Sequence, residues 1–327
     1  MPRLPGTDLD VSALCLGGNV FGWTADEPTS FALLDRYSDA TPSPLRPFVD
    51  TAESYGDGTS ERILGAWMAA RGNRDSVVVA TKASPMKKEH PLAAGEIRAA
   101  AERSLRNLQT DRIDLYYAHY DDATTPLEET LTAFDELVQA GKVRHVAASN
   151  YSAARLTEAL ETSEKLGITS YAALQTHYNL MERPAHEAEL REVAAAEGLG
   201  VLPYFALAKG FLTGKYRPGE QPGADTRAGH ASVGGSMQGF LTDEILTAVQ
   251  NLRPIADDLG LSMAQLAIAW VLQNPNVAAA IIGASRPEQV HDNVKAAGVE
   301  LPTEVLTRID EALGDVVERD PAKTSRG

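Results

Sequence analysis

The stretch Phe48-Val49-Asp50-Thr51-Ala52-Glu53-Ser54-Tyr55-Gly56-Asp57-Gly58 passes from a short apolar run, through an acid and a phenol, into turn chemistry; Ile63, Leu64 and Trp67 then recur at helical spacing. It reads as a strand whose C-terminal end carries Asp50 and Tyr55, followed at once by a helix. The pattern repeats downstream. Val77-Val78-Val79-Ala80-Thr81-Lys82 delivers a lysine to a second strand end, and Asp114-Leu115-Tyr116-Tyr117-Ala118-His119 delivers a histidine to a third. Working outward, strands are expected at 13–17, 48–52, 77–83, 114–119, 145–150, 173–179, 200–205 and 278–283. Several of these runs are nearly all apolar, as parallel strands covered on both faces are. Between them Ile97, Ala101, Leu105 and Leu108 keep one face of a helix. Leu127, Leu131, Phe134 and Val138 keep one face of another, which Gly141 ends.

Eight strands alternating with helices admit a closed (β/α)8 TIM barrel or a doubly wound open sheet. No G-x-G-x-x-G follows the first strand, where Leu16-Gly17-Gly18-Asn19 leads instead to aromatics and Pro28. The polar candidates are spread over several strand exits, which suits the mouth of a barrel better than one crevice at a switch point. The expectation is a single-domain α/β chain, residues 1–327, folded as a (β/α)8 barrel. One segment breaks the rhythm: 217–239 holds six glycines and two prolines. Following the seventh strand, it is expected to form a flexible loop over the site.

The chain has 327 residues, 43% of them hydrophobic and 23% charged, as in a soluble globular enzyme. Its net charge of −15 argues against a nucleic-acid partner and against an anionic membrane surface, while leaving room for a locally positive pocket. The single cysteine, Cys15, rules out an internal disulfide and reads as a packed strand residue. No basic segment followed by an apolar core opens the chain, and no apolar run reaches membrane-spanning length. A cytoplasmic protein is expected; its oligomeric state is left open.

Tyr55 is the centre of the chemical reading. A phenol loses its proton near pH 10, and a neighbouring ammonium, here Lys82, favours the phenolate. Asp50 is placed to keep Lys82 charged, and His119 to orient a carbonyl oxygen. Taken singly, each has an ordinary reading: a capping acid, a solvated lysine, a satisfied histidine, a packed aromatic. Four such residues at successive strand exits instead suggest one site that donates a proton to a carbonyl. Phe21, Trp23, Tyr120 and Tyr151, just beyond strand ends, are expected to wall a pocket for an apolar or flat substrate. Asp121 and Asp122 favour a polar or cationic one, or are simply solvated.

The run from Asp50 to Glu61 closely resembles the signature of the aldo-keto reductases. Gly141-Lys142-Val143-Arg144 followed by Ser149-Asn150 is similar to that family's second signature. Gly210-Phe211-Leu212-Thr213-Gly214-Lys215-Tyr216 and Ile281-Ile282-Gly283-Ala284-Ser285 match later landmarks in order. The resemblance spans Leu16 to about Leu301. It implies a (β/α)8 barrel that binds NADP(H) without a Rossmann fold and reduces a small-molecule carbonyl, with Tyr55 as general acid, Lys82 tuning it, Asp50 paired to Lys82, and His119 positioning the carbonyl. It further implies that Ser149, Asn150 and Gln175 hold the nicotinamide carboxamide and that Tyr204 stacks on its ring. Leu207, Gly210, Leu212 and Lys215 would follow the pyrophosphate. Gly283, Ser285, Arg286, Gln289 and Asn293 would hold the adenosine end, Arg286 favouring a 2′-phosphate. Four positions depart from the family's pattern: Phe205-Ala206 in place of Ser-Pro, Asp292 in place of Glu, and the added charge of Lys209.

Other readings fit less of the chain. A cofactor-binding, redox-sensing regulatory subunit, like the related potassium-channel β subunits, would keep the same tetrad with little turnover. A Schiff-base aldolase would need a neutral Lys82, which Asp50 opposes. A metal-dependent hydrolase would need clustered ligands such as His-x-His, which the sequence lacks; no metal is expected.

Overall fold

The computed structural model describes residues 3–83, 89–223, 226–229, 237 and 239–320. Eight parallel strands follow the chain: β1 Leu14–Gly17, β2 Phe48–Asp50, β3 Val78–Ala83, β4 Ile113–Ala118, β5 Val143–Ser149, β6 Ala173–His177, β7 Gly200–Tyr204 and β8 Ala280–Ile282. They pair in the order β7-β6-β5-β4-β3-β2-β1-β8. A parallel bridge between Val201 and Val277, with the Ala278 N–H donating to the Val201 carbonyl at 2.9 Å, joins β7 to the chain entering β8. The sheet is therefore a closed barrel, and the open-sheet alternative falls. The observed strands lie where the sequence places them, with ends displaced by up to a few residues.

Helices wrap the barrel: α1 Glu27–Ala40, α2 Thr59–Arg71, α3 Ala94–Leu108, α4 Leu127–Gln139, α5 Ala153–Leu166, α6 Pro184–Glu187, α7 Leu190–Ala196, α8 Asp243–Gln250, α9 Arg253–Asp258, α10 Met263–Leu272, α11 Pro287–Asn293 and α12 Thr303–Leu313. Among the described residues no single helix is long and apolar enough to cross a membrane.

The two-residue period of a strand decides what lies inside. Cys15, Phe48, Val78, Ala80, Leu115, Tyr117, Ala147, Ala173, Leu202 and Ile281 pack as one interior cluster, closed from below by the buried Leu4, Leu9 and Val11 of the N-terminal segment. One step of two residues further along four of the strands the interior turns polar. Phe48 gives way to Asp50, Ala80 to Lys82, Tyr117 to His119, and Ala173 to Gln175. The register fixes their heights, Gly17 opposite Asp50, Asp50 opposite Ala80, and Lys82 opposite Tyr117. The alternation that builds the core thus also delivers four polar side chains to one rim, at the strand C-termini where barrel enzymes carry their sites.

Outside the strands, α2 and α3 approach closely at Gly65. A Cβ built there would lie 2.6 Å from both the carbonyl oxygen of Asn107 and the carbonyl carbon of Leu108, backbone atoms that cannot step aside. Gly65→Ala is therefore expected to cost about 1–3 kcal/mol through overpacking, seen as a lower urea midpoint with an unchanged slope. An unchanged midpoint would show that the two helices are not in this contact.

Candidate active site

Lys82 is buried, and all three of its N–H donors are used. They reach Asp50 Oδ1 at 2.6 Å, the Thr51 carbonyl at 2.8 Å and Tyr55 Oη at 3.3 Å. Because the phenol oxygen accepts from the ammonium, its own hydrogen is free to point elsewhere, and Tyr55 lines a cavity of about 1010 Å³ at the barrel mouth. Asp50 Oδ2 accepts from Gln175 Nε2 at 2.9 Å, across the barrel from β6. A carboxylate only accepts, so this contact fixes the orientation of the Gln175 amide, with its nitrogen toward Asp50.

Burial alone would lower the Lys82 pKa, but Asp50 and Tyr55 outweigh it and push the value up to about 12. The ammonium is therefore fixed, and the neutral lysine a Schiff-base aldolase requires is absent. For Tyr55 the balance goes the other way. Burial raises the phenol more than the Lys82 charge lowers it, so the net shift is upward, against the simple expectation of an acidified tyrosine. Tyr55 is thus held protonated, the form a general acid needs. Its ease of giving up that proton rests on Lys82 stabilising the phenolate once formed.

His119 is buried and held well below its ordinary pKa by burial and by the Lys82 charge, so the imidazole is neutral. Its Nδ1 is buried without a hydrogen-bond partner among the described residues. A bare ring nitrogen tolerates that better than an N–H does, which assigns the hydrogen to Nε2. Its ring stacks on Tyr120, centroids 4.6 Å apart, and meets Tyr55 edge-on at 6.3 Å. Tyr55 and His119 both line the cavity, together with Trp23 and Tyr120.

The rest of the cavity runs from Asn150, Gln175 and Tyr204 past Leu207, Gly210 and Lys215 to Gly283, Ser285, Arg286, Gln289 and Asn293. Asn150 sits at φ 58° and is tied on both sides of its amide: Nδ2 donates to the His119 carbonyl at 2.9 Å, and Oδ1 accepts from Tyr204 Oη at 2.8 Å. Tyr204 lies parallel to His177, 5.3 Å away and tilted by 12°. Gln289 Oε1 accepts from the backbone N–H groups of Ser285, at 2.9 Å, and Arg286, at 3.2 Å. A side-chain oxygen thus stands where these donors would meet an anionic oxygen. Asp292, the residue that departs from Glu, accepts from Ser262 Oγ and Gln265 Nε2, each at 2.9 Å, and so braces α11 on α10.

Five sequence-expected residues lie off the cavity wall; Lys82 is one, buried against Asp50 and Tyr55. Phe21 is buried in the apolar cluster between strands and helices that also holds Leu33, Ile63 and Trp67, because the chain after β1 turns into the helical layer. Tyr151 is buried beside Tyr171, their hydroxyls 3.2 Å apart, one residue past the left-handed turn at Asn150 that carries the chain outward. Ser149 is buried beneath Asn150, whose Nδ2 donates to its hydroxyl at 3.1 Å, and Leu212 packs in the outer apolar cluster. Sequence reading also passed over Arg227. Its guanidinium lies 5.3 Å from the Trp23 ring centre on the cavity wall, brought there from the glycine-rich loop, where no periodicity marks it. Of the expected loop over 217–239, residues 224–225, 230–236 and 238 lie outside the described residues.

The charge of this wall runs against that of the protein. Lys209, Lys215, Arg227 and Arg286 all line the cavity, and none has a carboxylate partner among the described residues. Burial and the charge of Arg227 lower Lys209, and burial lowers Arg227. Two half-buried cations, Lys209 and Arg227, and two exposed ones, Lys215 and Arg286, along one open cavity are a fit for an elongated ligand carrying phosphates.

Compared with known proteins, residues 13–313 match the Aldo/keto reductase family. The chain belongs to the aldo/keto reductase family. It is 36% identical over 329 residues to a "Probable voltage-gated potassium channel subunit beta" of Oryza sativa subsp. japonica, covering 98% of each chain. It is 35% identical to the "Uncharacterized oxidoreductase YrpG" of Bacillus subtilis (strain 168), covering 93% of each. It is 32% identical to the "L-glyceraldehyde 3-phosphate reductase" of Escherichia coli O157:H7, covering 81% of this chain and 79% of that one. As an aldo/keto reductase it is an NAD(P)H-dependent oxidoreductase.

The neutral His119 is directly measurable. In an NMR titration its imidazole is expected to stay unprotonated as pH falls through 6.5, the ordinary histidine value. A midpoint at that value would mean the ring is solvated rather than buried beside the Lys82 charge.

Proposed function

We propose that this protein reduces an aldehyde or ketone to the alcohol with NADPH, Tyr55 acting as general acid. The observation that carries the reading is the hydrogen-bond set of Lys82. It leaves Tyr55 with one free hydrogen at the cavity, beside the Nε2–H of His119. A carbonyl oxygen placed between them accepts from both. The His119 N–H orients it, and Tyr55 Oη gives it a proton as negative charge develops there. The phenolate left behind accepts from the Lys82 ammonium, and Asp50 holds that ammonium charged. A bound reduced nicotinamide supplies the hydride.

Asn150 and Gln175 are suited to hold the carboxamide, and Tyr204 to lie along the ring. Gln175 turns its nitrogen to Asp50, leaving its carbonyl oxygen for the amide hydrogens of such a ligand. Lys209, Lys215, Arg227 and Arg286 supply the positive charge for its phosphates. Arg286, beside the Ser285 and Arg286 backbone donors, favours the form with a 2′-phosphate. From the glycine-rich segment, the described Thr226 and Arg227 reach this cavity, Arg227 over Trp23.

A second reading, a regulatory cofactor-binding subunit, is favoured by the printed names of two relatives, the "Probable voltage-gated potassium channel subunit beta" of rice and that of Arabidopsis thaliana. The intact donor set argues for turnover. Tyr55→Phe is expected to lower aldehyde reduction at least a hundredfold while the NADPH dissociation constant stays within about twofold. Full turnover in that variant would remove Tyr55 as the acid. Absence of turnover in both forms, with NADPH bound, would favour the regulatory reading. Arg286→Ala should raise KM about tenfold or more for NADPH and hardly at all for NADH, one charge-assisted contact being lost. An equal rise for both would show that Arg286 does not read the 2′-phosphate.

A further inference from the structure

The first turn of α2 buries a carboxylate for which the chemistry above has no use. Helix N-termini usually face water, yet Ser60 and Glu61 are both fully buried. Ser60 Oγ donates to the Gly18 carbonyl at 2.7 Å, so the 2.7 Å contact between Ser60 Oγ and Thr51 Oγ1 has Thr51 as its donor. Glu61 Oε1 accepts from Thr81 Oγ1 at 2.7 Å, and Oε2 from Asn107 Nδ2 at 2.9 Å. Two consecutive helix residues thereby grip the exits of β1, β2 and β3. The α3 end of the grip exists because Gly65 lets α3 come close enough to bring Asn107 alongside.

What the grip spans is the seven-residue segment from Ala52 to Gly58 that carries Tyr55. One end of that segment is set by Thr51, whose carbonyl accepts from Lys82. The other is the start of α2. On its outer side Glu53 pairs with Arg103 of α3. Thr81 immediately precedes Lys82 on β3, so its side chain faces outward to Glu61 while the lysine faces inward to Asp50 and Tyr55. The Lys82–Tyr55 contact, at 3.3 Å, is the longest of the three made by the ammonium and the first to be lost if β3 slips against α2.

We propose that Glu61 is a positioning residue: through Thr81 it locks β3 to the helix that follows the Tyr55 loop, and so sets the distance between the Lys82 ammonium and the Tyr55 phenol. It touches neither substrate nor cofactor. The assignment rests on Tyr55 being the general acid.

Thr81→Val removes the hydroxyl at nearly constant volume, Thr81→Ser keeps it, and Glu61→Gln keeps an acceptor for it. With saturating NADPH and 4-nitrobenzaldehyde, Thr81→Val should lower kcat about 10–100-fold, the scale of a slightly misplaced catalytic group, with the NADPH dissociation constant within about twofold. Its solvent deuterium isotope effect on kcat should grow, since proton transfer from the displaced phenol becomes slower. Thr81→Ser and Glu61→Gln should stay within about threefold of the unsubstituted protein. An unchanged kcat in Thr81→Val, an equal loss in Thr81→Ser, or a lost rate with an unchanged isotope effect would each reduce Glu61 to a scaffold residue and overturn the proposal. Failure of the unsubstituted protein to reduce any aldehyde would instead overturn the general-acid reading, and this assignment with it.

Discussion

The structure depends on one buried ion pair. Taking Lys82 and Asp50 out of water is costly, and removing one partner of such a pair typically costs about 3–5 kcal/mol. The arrangement is tolerable because little is left unmet: Lys82 spends all three donors, and each Asp50 oxygen accepts one. The pair also ties β2 to β3, and through Gln175 to β6, so the barrel cannot close its polar rim in any other register without stranding a charge. The Tyr55 phenol receives the last of the three donors, which makes it the one site member whose position follows from the charge balance of its neighbours.

Burial and charge act in opposite directions on each member, and the outcomes divide the labour. Asp50 and Tyr55 together win over burial at Lys82, burial wins over Lys82 at Tyr55, and burial and the Lys82 charge act together on His119. The result is a fixed cation flanked by two neutral donors, a combination suited to receiving negative charge as it appears on an oxygen. A second division operates at the scale of the molecule. The protein carries a net charge of −15, yet beyond the tetrad its cavity wall carries four cations, Lys209, Lys215, Arg227 and Arg286, against two carboxylates, Glu288 and Asp292. An acidic exterior discourages polyanions in general, so the positive wall selects by shape as well as by charge.

Much of this was legible in the sequence, for a definite reason. Strands announce themselves by composition, and the two-residue period that buries Phe48, Val78 and Leu115 also fixes the direction of Asp50, Lys82 and His119. Three of the four catalytic candidates, Asp50, Lys82 and His119, could therefore be placed at one rim from their positions in or just after short apolar runs, and Tyr55 only through the signature it sits in. Loop residues follow no such rule. Phe21 and Tyr151 stand as close to strand exits as Trp23 and Tyr120 do, yet they turn into the helical layer. Backbone turns and neighbouring apolar niches decide that, and composition does not show them. Arg227 was missed for the same reason, and Glu61, which the sequence shows only as the last residue of the family signature, has a visible role only through the bonds it accepts from Thr81 and Asn107. The net effect of Lys82 on Tyr55 was also out of reach, since it depends on how deeply the phenol is buried.

The most direct test of the central claim is a single-turnover experiment on the purified protein. It is loaded with NADPH and mixed rapidly with 4-nitrobenzaldehyde, the reduced nicotinamide being followed by its fluorescence. The account predicts saturable binding of NADPH and loss of the signal in one phase that forms one equivalent of 4-nitrobenzyl alcohol. Bound NADPH that persists unoxidised across a panel of aldehydes and ketones would contradict it, and would leave the buried pair and its phenol as a cofactor-sensing device.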